Sequence, residues 1–302
     1  VDNRAEIKAF LSSRRAKITP ERAGLTAYAR NRRVPGLRRS EVADLAGVSV
    51  EYYAQLERGN LAGVSDSVLE AVSRALQLDE AERAHLLDLA RAAGPAPRTR
   101  RPVPAEQVRP SVQRLLELMT EVPVIVNNAR LDIAAANAFG QALFAPVYAS
   151  TVHPPGQPVN HARFTFLDPR AGDFWSDWER AADDGVAQLR TEAGRDPYNR
   201  ALTDLVGELS TRSEAFRVRW AAHDVRLHRT GVKHFHHPVV GHLDLNFEAM
   251  ELPADPGLAL IAFTAPTGSA DDDALKLLAG WAADHADALR APNQEGRQRG
   301  PG

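Results

Sequence analysis

Apolar positions recur at helical spacing from residue 6 to residue 93, which predicts about five short helices and no strand in that stretch. Ile7, Phe10 and Leu11 mark one face of a helix over 6–13. Thr19, Pro20 and Glu21 supply an N-cap, a first-turn proline and an acidic first turn for the next element. Val42, Ala43 and Ala46 share a face of a helix over 38–46, and Tyr53 and Leu56 share a face of a second over 49–58. Between them, Gly47 stands where a left-handed residue ends a helix, Val48 fills the corner and Ser49 is a good N-cap. Ala43 is small enough for the second helix to cross closely. A plain helical hairpin does not need this joint pattern of small residue, glycine and apolar corner, whereas a helix-turn-helix does. Val68, Leu69, Val72 and Leu76 then mark a helix starting at Ser65 or Asp66, and Leu86, Leu87 and Leu89 one starting at Asp79.

The run GPAPRTRRPVPAEQVRP over 94–110 contains five prolines and four arginines and reads as a stiff, extended linker. After a helix over 111–120 the period changes to two. Strands are predicted over 124–126 and 132–134 around an Asn127-Asn128 turn, and Asn137 caps a helix that runs to Phe144. The proline-rich stretch 146–160 reads as a loop. Two or three helices follow, one carrying Trp175, Trp178, Val186 and Leu189 and another carrying Leu202, Leu205, Val206 and Leu209, with a break at Asp196-Pro197. Three strands over 232–237, 239–251 and 258–264 form an antiparallel meander, and a helix over 274–289 precedes a tail over 291–302 with the composition of a disordered segment. The fold class is therefore an all-α domain over 1–93 joined by the linker to an α+β domain over 111–290, whose early and late strands share one antiparallel sheet.

The 302 residues, 44% hydrophobic and 25% charged, suit two soluble globular domains. The chain has no cysteine, which excludes disulfides and thiolate metal sites. No stretch reaches the ~18 apolar residues of a membrane span, and no signal-like run is present, so the expected compartment is the cytoplasm. Charge is unevenly shared: the first hundred residues hold 17 Lys/Arg against 13 Asp/Glu, the remainder 20 against 26. Nine basic residues and only Glu21 on the acidic side fall within 14–39, a footprint suited to a phosphate backbone.

The helix-turn-helix predicts double-stranded DNA as partner. Arg38 and Arg39, at the start of its first helix, are assigned to phosphates, which position the protein. Ser49, Val50, Glu51, Tyr52 and Gln55 are the candidates facing the major groove: Gln pairs with adenine, Glu accepts from cytosine, and Tyr offers a hydroxyl and a ring for a thymine methyl. Arg58, Arg32 and Arg33 are phosphate contacts or free surface charges. One short helix buries little surface, so a homodimer on a pseudo-palindromic operator is expected. No spacing of nucleophile, paired acid or phosphate loop points to catalysis. Among the clustered histidines, His234 and His236 share a strand face near Asp244 and His242, but no strong metal motif accompanies them, and no cofactor is expected. For a small amphipathic effector, Phe139, Phe144, Phe164, Phe166, Trp175 and Trp220 could form an apolar wall, and Arg190, His223 and Asn137 could anchor a carboxylate or carbonyl. The other reading of these aromatics is plain core.

The stretch VPGLRRSEVADLAGVSVEYYAQLERGN resembles the N-terminal domain of Xre-type, phage-repressor-like regulators. With FLDP at 166–169, VAQLR at 186–190, DPYN at 196–199, FRVRWAAHDV at 216–225 and HPVVGHLDLNFEAMEL at 237–252, nearly the whole chain resembles the MmyB-like transcription regulators. The resemblance implies a bacterial, dimeric regulator with a PAS-like second domain that binds a small, fatty-acid-like molecule. A constitutive regulator whose second domain only dimerises or recruits a partner is the alternative. The loop LAGVSD at 61–66 lacks the basic residue the resemblance leads one to expect there.

Overall fold

The computed structural model describes residues 2–25, 34–94, 108–225 and 229–285. They divide into two compact units, the first taken from Val1–Arg100, Ala187–Val206 and Val218–Leu227, the second from Arg101–Val186, Gly207–Arg217 and His228–Gly302.

Among the described residues, the N-terminal part of the first unit holds five helices: α1 (Asn3–Lys17), α2 (Arg39–Ala46), α3 (Val50–Glu57), α4 (Asp66–Ala75) and α5 (Glu80–Ala93). Helix α1 is longer than its apolar stripe suggests, because its ends are stabilised by polar groups. Asp2 accepts a hydrogen bond from Arg4 N at 3.0 Å, and Arg14, Arg15 and Lys17 complement the dipole of the last turn. Ile7, Phe10 and Leu11 from α1 meet Val42, Tyr53, Leu56, Leu69 and Leu86 in one core. Burying one such side chain stabilises by roughly 1.5–3 kcal/mol. Val225, from far along the chain, is part of the same core. At α5 the Asp79 side chain accepts from Glu82 N at 2.8 Å while the Glu82 carboxylate accepts from Asp79 N at 3.2 Å, a reciprocal capping box. Thr19 to Glu21, read as the cap and first turn of the next element, lie in turns that run to Gly24, with Ala23 N donating to Thr19 O at 3.1 Å, and residues 26–33 lie outside the described residues. The same holds for the linker over 95–107 and the tail.

The second half of the chain carries α6 (Pro110–Leu118), β1 (Val124–Asn128), β2 (Ile133–Ala136), α7 (Ala138–Leu143), α8 (Ala145–Tyr148), α9 (His161–Leu167), α10 (Ala171–Phe174), α11 (Trp178–Arg195), α12 (Arg200–Arg212), α13 (Glu214–Ala221), β3 (Thr230–His237), β4 (Gly241–Glu251), β5 (Leu258–Thr264) and α14 (Ala270–Asp284). The strands form one antiparallel sheet in the order β2-β1-β5-β4-β3, so the early and late strands do share a sheet and β2 is an edge. Alternation sorts its faces. Val124, Val126, Leu258 and Leu260 pack with Val112 and Leu116 of α6, whereas Ile125, Leu243, Ile261 and Phe263 face the larger core with α7 and α14. Phe144, Phe235 and Phe263 interlock there, with ring centroids 5.4–6.0 Å apart.

Three local expectations are corrected. Asn127 and Asn128 end β1 and pair with Ala259 and Leu258, so the chain reverses at Ala129 and Arg130. Leu131 takes φ +64°, and the Asn128 side chain accepts from Arg130 N and Asp132 N at 2.9 and 3.0 Å. The stretch read as loop contains α8, with Pro146 in its first turn. Among the described residues between α8 and β3 there are five helices rather than two or three, because Pro169, the turns at 175–177 and 196–199 and the break at Ser213 interrupt the apolar runs. Gly140 has a steric reason: a Cβ there would run into the backbone carbonyl of Val124, so α7 lies directly on β1. Among the described residues no helix is long and apolar enough to cross a membrane.

Candidate DNA interface and candidate effector site

The turn between α2 and α3 is built by short-range bonds. Gly47 adopts φ +67° and ψ 32°, its N–H donates to Asp44 O at 3.2 Å, and Val48 N donates to Ala43 O at 3.0 Å. Ser49 Oγ then accepts from Tyr52 N at 3.1 Å and starts α3. Ala43, Tyr53 and Leu56 are buried at the crossing. The outward side of α3 presents Ser49, Val50, Glu51, Gln55 and Arg58 to solvent. Tyr52 is half-buried and packs partly on the core. Arg38 is exposed, with its N–H held by Glu41 Oε2 at 2.6 Å. Arg32 and Arg33 lie outside the described residues.

Glu57, one residue past inward Leu56, was not singled out by the sequence reading. It is only 1% exposed and accepts from Ser12 Oγ at 2.8 Å, Arg15 Nη2 at 2.7 Å and Arg39 Nε at 2.7 Å. Burial alone would raise its carboxyl, but the hydrogen bonds from Arg15, Arg39 and Ser12 outweigh this and hold it below the usual carboxylate range. The Arg39 side chain stays 53% exposed while its Nε is held by Glu57. The Nη end of a guanidinium so oriented suits a phosphate. A glutamate on an apolar helix face is the signal that could have exposed this pair.

The residues considered as effector ligands do not come together at a single site. Arg190 is fully buried in the first unit, where it bonds to the Glu6 carboxylate and to Trp220 O, with His223 Nδ1 at 2.8 Å from its Nη1 and its carbon 4.1 Å from the Trp220 ring centroid. Burial alone would raise Glu6; the imidazoles of His223 and His85 and the charge of Arg190 overcome it and hold the carboxyl far below its ordinary value. Phe144, Phe164 and Trp175 lie in the core of the second unit, while Phe166 stacks edge-on against Trp178 and Phe216, at 6.1 and 5.1 Å between centroids. The sequence reading missed Glu6 as their partner because nothing local couples residues so far apart.

A cavity of about 910 Å³ runs along edge strand β2, between α6, the start of α7, the 157–159 segment and α14. Ile133, Ala134, Ala135, Phe139 and Ala282 give it an apolar wall. Asn137 lines it too, but its side chain is fully used. Its Oδ1 accepts from Val124 N at 3.0 Å and Gly140 N at 2.6 Å, and its Nδ2 donates to Met119 O at 2.5 Å and Val122 O at 2.7 Å. On the far edge of the sheet, His234 Nδ1 and His242 Nε2 reach the same Asp244 oxygen at 2.6 and 3.1 Å. They form a hydrogen-bonded cluster, and among the described residues no group of three side chains is arranged to hold a metal ion.

The family model described as a helix-turn-helix domain matches residues 14–86, which spans α2 and α3. The model of the MmyB-like transcription regulator ligand binding domain matches residues 108–278, which spans the sheet and the cavity. A comparison with the curated proteins finds no match. Neither matched family is an enzyme family. With a DNA-reading head and, over more than half its length, a ligand-binding domain of this kind, the chain belongs to the MmyB-like transcription regulators and is a ligand-responsive one.

Proposed function

We propose that the protein is a one-component, Xre-type bacterial regulator that binds a pseudo-palindromic operator as a homodimer and changes its grip on that operator when a small amphiphile fills the cavity beside β2. The observation that carries the DNA half is the outward face of α3, with Ser49, Glu51 and Gln55 exposed at the end of a rigid turn and Arg39 oriented by Glu57. In this reading Ser49, Val50, Glu51, Tyr52 and Gln55 meet base edges, and Arg38, Arg39 and Arg58 meet phosphates, as do Arg32 and Arg33. The effector half rests on the mainly apolar wall and size of the cavity, which suit the chain of a fatty-acid-like molecule. An effector changes operator affinity only by preferring one of two dimer geometries.

The test is selection of duplexes from a random pool by the full chain, followed by anisotropy titration of the winner with and without Ala135→Phe, which fills the cavity. A selected half-site repeated with dyad symmetry, and an affinity or effector response altered by the filled cavity, is the expected result. Recovery of no preferred duplex would overturn the DNA half.

A further inference from the structure

We infer that Asp224 masks a phosphate contact: it holds the Lys17 ammonium beside the Arg38 edge of the head and away from the duplex, so that releasing Asp224 adds one cation per head to the grip on DNA. The inference rests on the reading of that edge, marked by Arg38 and Arg39, as the side that meets phosphates.

Three observations carry it. The first is the position of Lys17. Leu37 N donates to Arg15 O at 3.0 Å and Arg15 Nη1 to Leu37 O at 2.9 Å, and a Cβ on Gly36 would strike the Ala16 backbone. The chain that leads into Arg38 therefore runs along the last turn of α1. Lys17 follows Ala16 as Arg38 follows Leu37, which places both cations at one edge of the head, and both are exposed. A lysine there, a point charge on a flexible stem, suits a phosphate.

The second is what Lys17 meets instead. Its Nζ lies 2.5 Å from Asp224 Oδ1, and the same oxygen is 3.3 Å from Arg14 Nη1. Arg14 is buried, with its Nε 2.8 Å from Glu82, so it stays behind the surface, and Lys17, its side chain 52% exposed, is the surface cation that the carboxylate neutralises. Burial would raise the Asp224 carboxyl, but the hydrogen bond and charge of Lys17, with Arg14, hold it below the usual carboxylate range, so it is ionised. A carboxylate at this edge also repels a phosphate directly.

The third is how firmly Asp224 is held. An ion pair between two free surface side chains is weak and would yield to a polyanion. Here the backbone fixes one partner. Trp220 O accepts from Arg190, His223 O accepts from Arg14, His223 Nδ1 lies 3.3 Å from Glu6 Oε1, and Val225 is buried in the head core, so residues 220–225 form a strap against α1. His223 takes φ +55°, a left-handed conformation that a histidine keeps where its surroundings enforce it.

Anisotropy titrations of the full chain over a salt series, on a selected duplex and on an unrelated one, test the mask. Asp224→Asn is expected to tighten binding to both about fivefold at low salt and to steepen the salt slope by about one per bound head. The gain must pass through Lys17: in a Lys17→Ala background the same substitution should gain less than about twofold, the remainder being screened long-range charge. Lys17→Ala alone should leave the salt slope unchanged, where Arg39→Ala lowers it, and this measurement stands even if Asp224→Asn folds poorly in a thermal melt. Equal gains from Asp224→Asn with and without Lys17, no gain from a folded Asp224→Asn, or a slope lowered by Lys17→Ala alone would overturn the mask while leaving the DNA reading in place. Binding of no duplex by the unaltered chain would instead remove that reading and this inference with it.

Discussion

The guanidinium of Arg190 is bonded to the carboxylate of Glu6, 184 positions earlier in the chain, and both side chains are buried. His223 and Trp220 complete the enclosure, while Arg14 sits nearby with its Nε 2.8 Å from Glu82. Two charges removed from water are tolerated here because each has the other, with His223 beside Glu6 and the Trp220 carbonyl on Arg190. Arg190→Met should therefore cost about 3–5 kcal/mol, since it leaves Glu6 buried without its one fixed positive charge, with only the imidazoles beside it. Adding Glu6→Gln to that variant should recover part of the loss. Urea denaturation of the two single variants and the double variant measures the coupling, and simple additivity would contradict the pairing.

Gln55→Ala should relax preference at one base position and cost about 1–3 kcal/mol on the best duplex alone. Arg39→Ala should weaken every duplex alike and lower the salt slope by about one. It should also destabilise the head, because Glu57 loses one of its two cations. Anisotropy titrations over a salt series on matched and mismatched duplexes separate the roles, and an equal loss by both variants on all sequences would refute the division.

Stability should fall as the solution is acidified from near neutrality, with His161 a main cause. Its Nε2 is buried without a partner beside the Phe144 ring, and burial pulls the imidazole from 6.5 down to about 3. Between those two values the unfolded chain holds a proton that the folded one refuses. This group therefore removes about 1.4 kcal/mol per pH unit as pH drops through that window, and nothing above it. His161→Phe should flatten the dependence of folding free energy on pH between 6 and 4, measured by urea melts; an unchanged slope would remove His161 from the account.

Two glycine replacements should differ in size. Gly47→Ala meets open space but must keep a left-handed φ of +67°, which costs about 1 kcal/mol. Gly140→Ala would drive a methyl into the Val124 carbonyl and push α7 off β1, at a cost above about 2 kcal/mol. Thermal melts of the two variants should rank in that order.

What could be read from the sequence follows the range of the forces involved. The α2–turn–α3 unit was legible because Ala43, Gly47 and Ser49 act on neighbours a few residues away, and the sheet was legible because alternation and short turns leave a meander few other arrangements. The exposure of Ser49, Val50, Glu51, Gln55 and Arg58 on the outward face of α3, where the candidate site is proposed, was legible for the same reason. The β1–β2 reversal was misplaced because pairing with β5 draws Asn127 and Asn128 into the strand, which no local propensity reports. Glu57 with Arg15 and Arg39, and Glu6 with Arg190, join residues from different elements, so neither pair leaves a spacing to read. Asn137 was read correctly as a cap, yet the cap takes its Oδ1 and the carbonyls of Met119 and Val122 take its Nδ2, which leaves nothing of the amide that was also considered as a ligand anchor.

The first unit is not a continuous stretch: Ala187–Val206 and Val218–Leu227 belong to it, and Val225 and Arg190 lie within its interior. Recombination at the proline-rich joint would consequently transplant an incomplete reader, short of its last core residue and holding an orphaned acid. Exchange of operator specificity between such regulators should succeed only where the graft also carries those two later segments, or where the recipient already supplies compatible ones.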